Sequence, residues 1–241
     1  MIDFSAKDGV TPEVIENLQE SIDRSPWLSG QMKMAANGPV LMGLAQPEAI
    51  GMPLRGFEVL PESAGEGASY SSYSQTIRLK LESLQRYPGR FNENDVTFLF
   101  AHEVKHHLTE RESSSAKIEL NQALQAVSEG PPPHDYTAPI AAYIQARAHD
   151  EAAATIAGYN ALRSAVLEQH GSVDLREMYM ANDGRMVDFI HADENANSYT
   201  PLPGLSFNSD LSLSETRGNI EAMAHYYFYK NLPEGYGLGH H

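Results

Sequence analysis

Between Thr11 and Ser25 apolar residues recur at helical spacing: Val14, Ile15, Leu18 and Ile22 fall on one stripe, and Thr11-Pro12 ahead of them has the form of a helix start. A surface helix is predicted there. From about Leu54 to Leu81 the texture changes to glycine-rich turns and alternation. There "GEGASYSSYSQTIRLKL" sets Ile77, Leu79 and Leu81 on one face of a strand, read as an edge strand. Helical patterning returns at Phe91, is broken by four prolines and a glycine in "SEGPPPHDYTAP", and resumes in a second long helix from about Ala138 to Gln169. The last third mixes turn-rich stretches, "ANDGRM" and "PLPGLSFNSD", with a helix around "SETRGNIEAMAHYYFYKNL". There is no internal repeat and no low-complexity segment. The break at Pro131 to Pro133 reads as a hinge between two lobes, approximately 1–130 and 131–241, of a single domain spanning 1–241.

Composition narrows the partners. The 41% hydrophobic and 20% charged residues are those of a water-soluble globular chain, and no apolar run approaches the roughly 20 residues that span a bilayer. Membrane insertion is not expected. The 17 Lys+Arg against 32 Asp+Glu give a net charge of -15, which repels phosphate backbones, so nucleic acid is not an expected partner. The opening "MIDFSAKDGVTPEVIENL" lacks a basic stretch followed by an apolar one, so no signal peptide is visible, and the expected location is the cytoplasm or export by a dedicated secretion machine. With no cysteine, a metal could be held only by His, Asp or Glu. The terminal His240 and His241 are given no functional weight.

The helix beginning near Phe91 carries its own start signals. Asn92 can cap it, Asp95 stands three residues on as in a capping box, and Phe91 and Val96 have the spacing of a hydrophobic staple. Within it, "HEVKH" is His102, Glu103, Val104, Lys105 and His106, which fits the H-E-x-x-H pattern. The i, i+4 spacing puts both imidazoles on one face, within reach of one ion. Glu103, turned about 100° from His102, addresses a water and not the ion. This is the chemistry of a zinc hydrolase: Zn2+ polarises a carbonyl and lowers the pKa of water, while a carboxylate moves the proton. The apolar "VTFLF" ahead of the motif places the histidines on a buried helix, not a merely solvated one. His107, rotated away, is expected to be structural or to support a ligand.

A zinc site needs a third protein ligand. If the third ligand lay ten residues after His102, as in metzincins, it would be Glu112, but the glycine that turns the chain in that pattern is replaced here by Thr109. The alternative is Glu151. Projected at 100° per residue, Ile140, Ile144, Ala148, Tyr159, Leu162 and Val166 form one apolar stripe with Glu151 in its middle, and a carboxylate among aliphatics is costly unless paired or metal-bound. Pairing with Arg147, one turn earlier, is its structural alternative. Asp150 and His149 project off the stripe and are read as solvated.

With "HEVKH" on one helix and a glutamate on a following one, the chain resembles a zincin metallopeptidase of the gluzincin type, over the two helices and the strand at Ser69 to Leu81. The resemblance implies an α+β, zincin-like fold with a small N-terminal sheet plus helices and a mostly helical C-terminal lobe. It also implies a Zn2+ held by His102, His106 and Glu151, Glu103 as general base, and a peptide or protein substrate that adds to the edge strand. The sequence departs from the thermolysin-like pattern at Thr155, where an aspartate would orient a histidine. Such families often add a Tyr or His for the oxyanion, and His225, Tyr226, Tyr227 and Tyr229 are available. The "DEAAATIAGYNAL" run is similar to compact metallopeptidase domains of bacterial regulatory proteases and of toxins or effectors. Two other readings stay open: a catalytically silent binding module on the same fold, and an amide hydrolase directed at peptidoglycan peptides.

Overall fold

The computed structural model describes residues 3–37, 52–193 and 195–228. Helix α1 (Pro12–Asp23) starts as its sequence predicts, Pro12 occupying the first turn and the Thr11 side chain accepting a hydrogen bond from the Val14 N–H. Val14, Leu18 and Ile22 are buried, whereas Ile15 lies on the exposed flank. Helix α2 (Pro26–Asn37) follows after a two-residue corner. Three short strands, β1 (Gly56–Val59), β2 (Ala68–Ser71) and β3 (Thr76–Leu79), form a sheet in the order β1-β3-β2, with β1 parallel and β2 antiparallel to β3. The expected edge strand is therefore two strands and a turn. Its apolar half, with buried Ile77 and Leu79, is the central β3, and β2 is an outer strand of the sheet that the described residues form. Thr76, Ile77 and Leu79 are buried and Arg78 is half-buried, as befits the middle strand of the sheet.

Helix α3 (Glu93–Leu108) begins at Asn92, whose side chain accepts hydrogen bonds from the Asn94 and Asp95 N–H groups. Asp95 does not close the capping box; it accepts from Arg185 at 2.8 Å and ties α3 to the far side of the molecule. Helix α4 (Glu110–Glu129) breaks from α3 at Thr109, a break absent from the sequence reading, and packs back to back with the first half of α5 (Thr137–His170). No residue of α4 is buried, and none of α5 before Ala148. The two thus form a helical hairpin standing off the body, which leaves Ile140 exposed despite its place on the apolar stripe. Helices α6 (Leu175–Ala181) and α7 (Asp183–Met186), the strand pair β4 (Ile190–Asp193) and β5 (Ser198–Pro201), and α8 (Arg217–Met223) complete an α+β architecture. The "ANDGRM" stretch, expected as a turn, contains the single helical turn of α7.

Two apolar clusters flank α3. Phe100 and Val104 face the sheet side with Val14, Leu28 and Ile77, while Phe98 faces Ile156, Tyr159, Phe189 and Met223. Burying each such side chain is worth about 1.5–3 kcal/mol, so α3 is held from both sides and its polar groups are fixed in place. Close approach of α5 is allowed by Gly158, where an added Cβ would stand 2.7–2.8 Å from the Phe98 ring. Among the described residues no helix is long and apolar enough to cross a membrane.

Candidate metal centre

Where α3 and α5 cross, Gly158 packs against the Phe98 ring. One turn along α3 from Phe98 stands His102, and two turns back along α5 from Gly158 stands Glu151. Nε2 of His102 lies 3.0 Å from Nε2 of His106, and Oε2 of Glu151 lies 3.4 Å and 3.5 Å from those two atoms. A tetrahedral zinc with bonds of about 2.0–2.2 Å separates its ligand atoms by roughly 3.4 Å. The three donor atoms therefore stand at zinc-ligand separations, and two imidazoles with one carboxylate are a donor set that suits zinc. Glu112, the other candidate, is exposed on α4 and faces a separate hollow of about 350 Å³. Arg147 does pair with Glu151, at 3.3 Å, but through Oε1, so the pairing and the histidine contacts coexist on one carboxylate.

Asp150 is not solvated. Its side chain is only 9% exposed, its Oδ2 accepts from His106 Nδ1 at 3.1 Å and from Arg147 at 3.1 Å, and its Oδ1 takes the Thr109 hydroxyl at 2.9 Å. The helical projection set Asp150 correctly off the Glu151 stripe; what it did not show is that the C-terminal end of α3 covers that flank. A carboxylate on Nδ1 fixes the ring so that Nε2 is presented to the cluster. The position where the thermolysin-like pattern has a histidine-orienting aspartate is Thr155, and the carboxylate that contacts His106 Nδ1 is here Asp150, the residue beside Glu151. Thr155 instead donates to the Glu151 backbone carbonyl.

The charges follow from this packing. Burial opposes a charged His106, but hydrogen bonds and charge from Asp150 and Glu151 outweigh it and push the imidazole up to about 10. Burial likewise opposes ionised Glu151 and Asp150. Hydrogen bonds from His102 and His106 for the first, and from His106 and Thr109 for the second, hold both carboxyls below the usual range.

Glu103, 6% exposed, sits at the bottom of a cleft of about 460 Å³ whose walls are β2 and the α4–α5 hairpin, and no described residue hydrogen-bonds its carboxylate. Across the cleft, the Tyr70 hydroxyl of β2 lies 2.8 Å from Glu110 Oε2, 2.9 Å from Gln75 Oε1 and 3.1 Å from His107 Nδ1. His107 is thus a structural group that joins α3 to the edge strand; burial holds its pKa down against the opposing pull of Glu110 and the Ala35 carbonyl. Burial and the neighbouring Glu110 raise the Tyr70 phenol far above its normal value. His225 and Tyr226 do not line the cleft, and the Tyr226 hydroxyl is committed to the Pro203 carbonyl at 3.1 Å. The Tyr227 side chain, Tyr229, His240 and His241 lie outside the described residues. The tyrosines that do line the cleft, Tyr70 and Tyr143, carried no signal in the sequence beyond ordinary strand and helix positions. No protein family, curated protein or solved structure matches this chain.

Proposed function

We propose that the chain is a zinc-dependent hydrolase of peptide or amide bonds with a zincin-like, gluzincin-type arrangement. The observation that carries the proposal is the position of Glu103: a carboxylate at the bottom of a cleft, one residue from a ligand histidine, beside a cluster of three donors at zinc-ligand spacing. A site that merely held a metal would need His102, His106 and Glu151 but not this carboxylate.

Zinc held by His102, His106 and Glu151 would supply a Lewis acid that polarises the scissile carbonyl and lowers the pKa of the attacking water. Asp150 keeps His106 in the orientation that serves the cluster. Arg147 holds Oε1 of Glu151 and leaves Oε2 toward the histidines. Glu103 takes the proton of the attacking water and delivers it to the leaving amine. The outer strand β2, with Ser69 and Tyr70 in the cleft wall, offers backbone groups to which an extended peptide adds as a further strand.

The test is Glu103→Gln. The amide keeps the side-chain shape but cannot accept the proton, so the variant should retain zinc and melting temperature while kcat falls on the order of 100- to 10,000-fold. The substrates are a broad peptide library and purified peptidoglycan. Undiminished turnover in the variant overturns the mechanism, and absence of turnover in the zinc-loaded parent moves the reading to a binding module.

A further inference from the structure

The two walls of the cleft differ in chemistry. On the hairpin side, Ser113, Ser114 and Lys117 of α4 and Tyr143 of α5 all line the cleft, and none of their side chains has a hydrogen-bond or ion partner among the described residues. Lys117 is the conspicuous member. Of the two cations that line the cleft, Arg147 is paired with Asp150 and Glu151, whereas the exposed Lys117 has no carboxylate within ion-pair distance among the described residues. Glu110, the nearest acidic residue upstream on α4 that lines the same cleft, has both oxygens taken by Tyr70 and Gln75. Apart from Glu110, Arg147, Asp150 and Glu151, which are engaged elsewhere in the cleft, the hairpin wall presents three hydroxyls and an ammonium that can all donate and have no acceptor partner among the described residues.

We infer that this wall is a subsite for a carboxylate carried by the bound peptide, with Lys117 as its charged element and the Ser113, Ser114 and Tyr143 hydroxyls as additional donors. The inference rests on the cleft being the peptide-binding cleft of the proposed hydrolase. A carboxylate has four lone-pair positions and is satisfied only by several donors at once, which is what this wall offers and what a neutral side chain would leave unused. The long-range field of a chain with net charge -15 works against any anion. Selectivity must then come from these short-range contacts, so it should respond to single substitutions on the wall. The carboxylate is either an acidic side chain or a free C-terminus; the chemistry is the same and the test separates them.

Fluorescein-labelled ten-residue peptides, alike except for Glu, Gln or Lys at one position moved along the chain, are titrated by anisotropy against zinc-loaded Glu103→Gln, which binds without turnover. Each peptide is made with an amidated and with a free C-terminus. At one position Glu should bind on the order of 5- to 10-fold tighter than Gln, the range for a partly screened charge-assisted hydrogen bond. The preference should vanish when Lys117→Gln is added and turn toward Lys when Lys117→Glu is added, with zinc content and melting temperature unchanged. A gain seen only with the free C-terminus, and lost in the same variants, assigns the subsite to a chain terminus. The inference is overturned if Glu, Gln and Lys peptides bind alike in both terminal forms, if the preference survives Lys117→Glu, or if none of the peptides binds. A Glu preference without cleavage by the parent protein keeps the subsite and refutes the hydrolase; cleavage without a preference does the reverse.

Discussion

Removing Asp150 should loosen the metal without unfolding the protein. Its carboxylate is nearly buried and splits its work: Oδ2 receives His106 Nδ1 and Arg147, Oδ1 receives Thr109. In Asp150→Asn the amide oxygen can occupy the Oδ2 place and still accept from His106 and Arg147, while the NH2 group meets the Thr109 hydroxyl, which can accept. Geometry survives and charge is lost, which roughly halves the strength of each contact. In Asp150→Ala both are lost. Groups that orient a ligand histidine typically contribute 10- to 100-fold to metal affinity, or about 1.4–2.8 kcal/mol. We expect Asn near the lower end and Ala near the upper. Competition against a chromophoric zinc chelator at fixed pH measures the change, and circular dichroism reports whether the helices persist. Unaltered zinc affinity in a folded Asp150→Ala would refute the claim that this carboxylate sets the His106 ring.

Gly158→Ala puts a methyl group against the Phe98 ring, so α5 must back away from α3. We expect about 1–3 kcal/mol of lost stability by urea denaturation, together with weaker zinc binding because Glu151 rides on the displaced helix. A change below about 0.5 kcal/mol would mean that the crossing is slack. In EDTA, His106 has a folded pKa raised to about 10. Its contribution is therefore fully present below the unfolded value of about 6.5 and lost as pH rises toward 10. The melting temperature of the parent should fall relative to that of His106→Asn across that window, and parallel curves would contradict the charged pairing with Asp150 and Glu151.

The three residues of the candidate metal cluster were legible in the sequence because each is fixed by local geometry or by an anomaly. The i, i+4 histidines need only a helix, and Glu151 is a carboxylate where an aliphatic residue belongs. Asp150 was not legible: helical projection gives an angle, not the neighbour that covers it, and the cover comes from α3. The break at Thr109 was equally silent, since no glycine or proline marks it and helical patterning runs through. There the Thr109 hydroxyl lies 2.9 Å from the Lys105 carbonyl of its own helix and 2.9 Å from Asp150 of α5, and only the second, tertiary contact is beyond local patterning. The central position of β3 depends on β1, whose four residues "GFEV" pair in parallel with it and leave no mark on the alternation of β3 itself. Likewise, the wheel that placed Ile140 on a buried stripe could not show that α5 leaves the body before Ala148.

The proposed chemistry depends on one zinc held by His102, His106 and Glu151. Elemental analysis of protein purified without a nickel column tests it most directly, on the parent and on Glu151→Gln, Glu112→Gln and His102→Ala side by side. About one zinc per chain is expected in the parent and in Glu112→Gln, and little in the other two. A parent without zinc, or a Glu112→Gln variant that loses it while Glu151→Gln keeps it, would overturn the proposed ligand set.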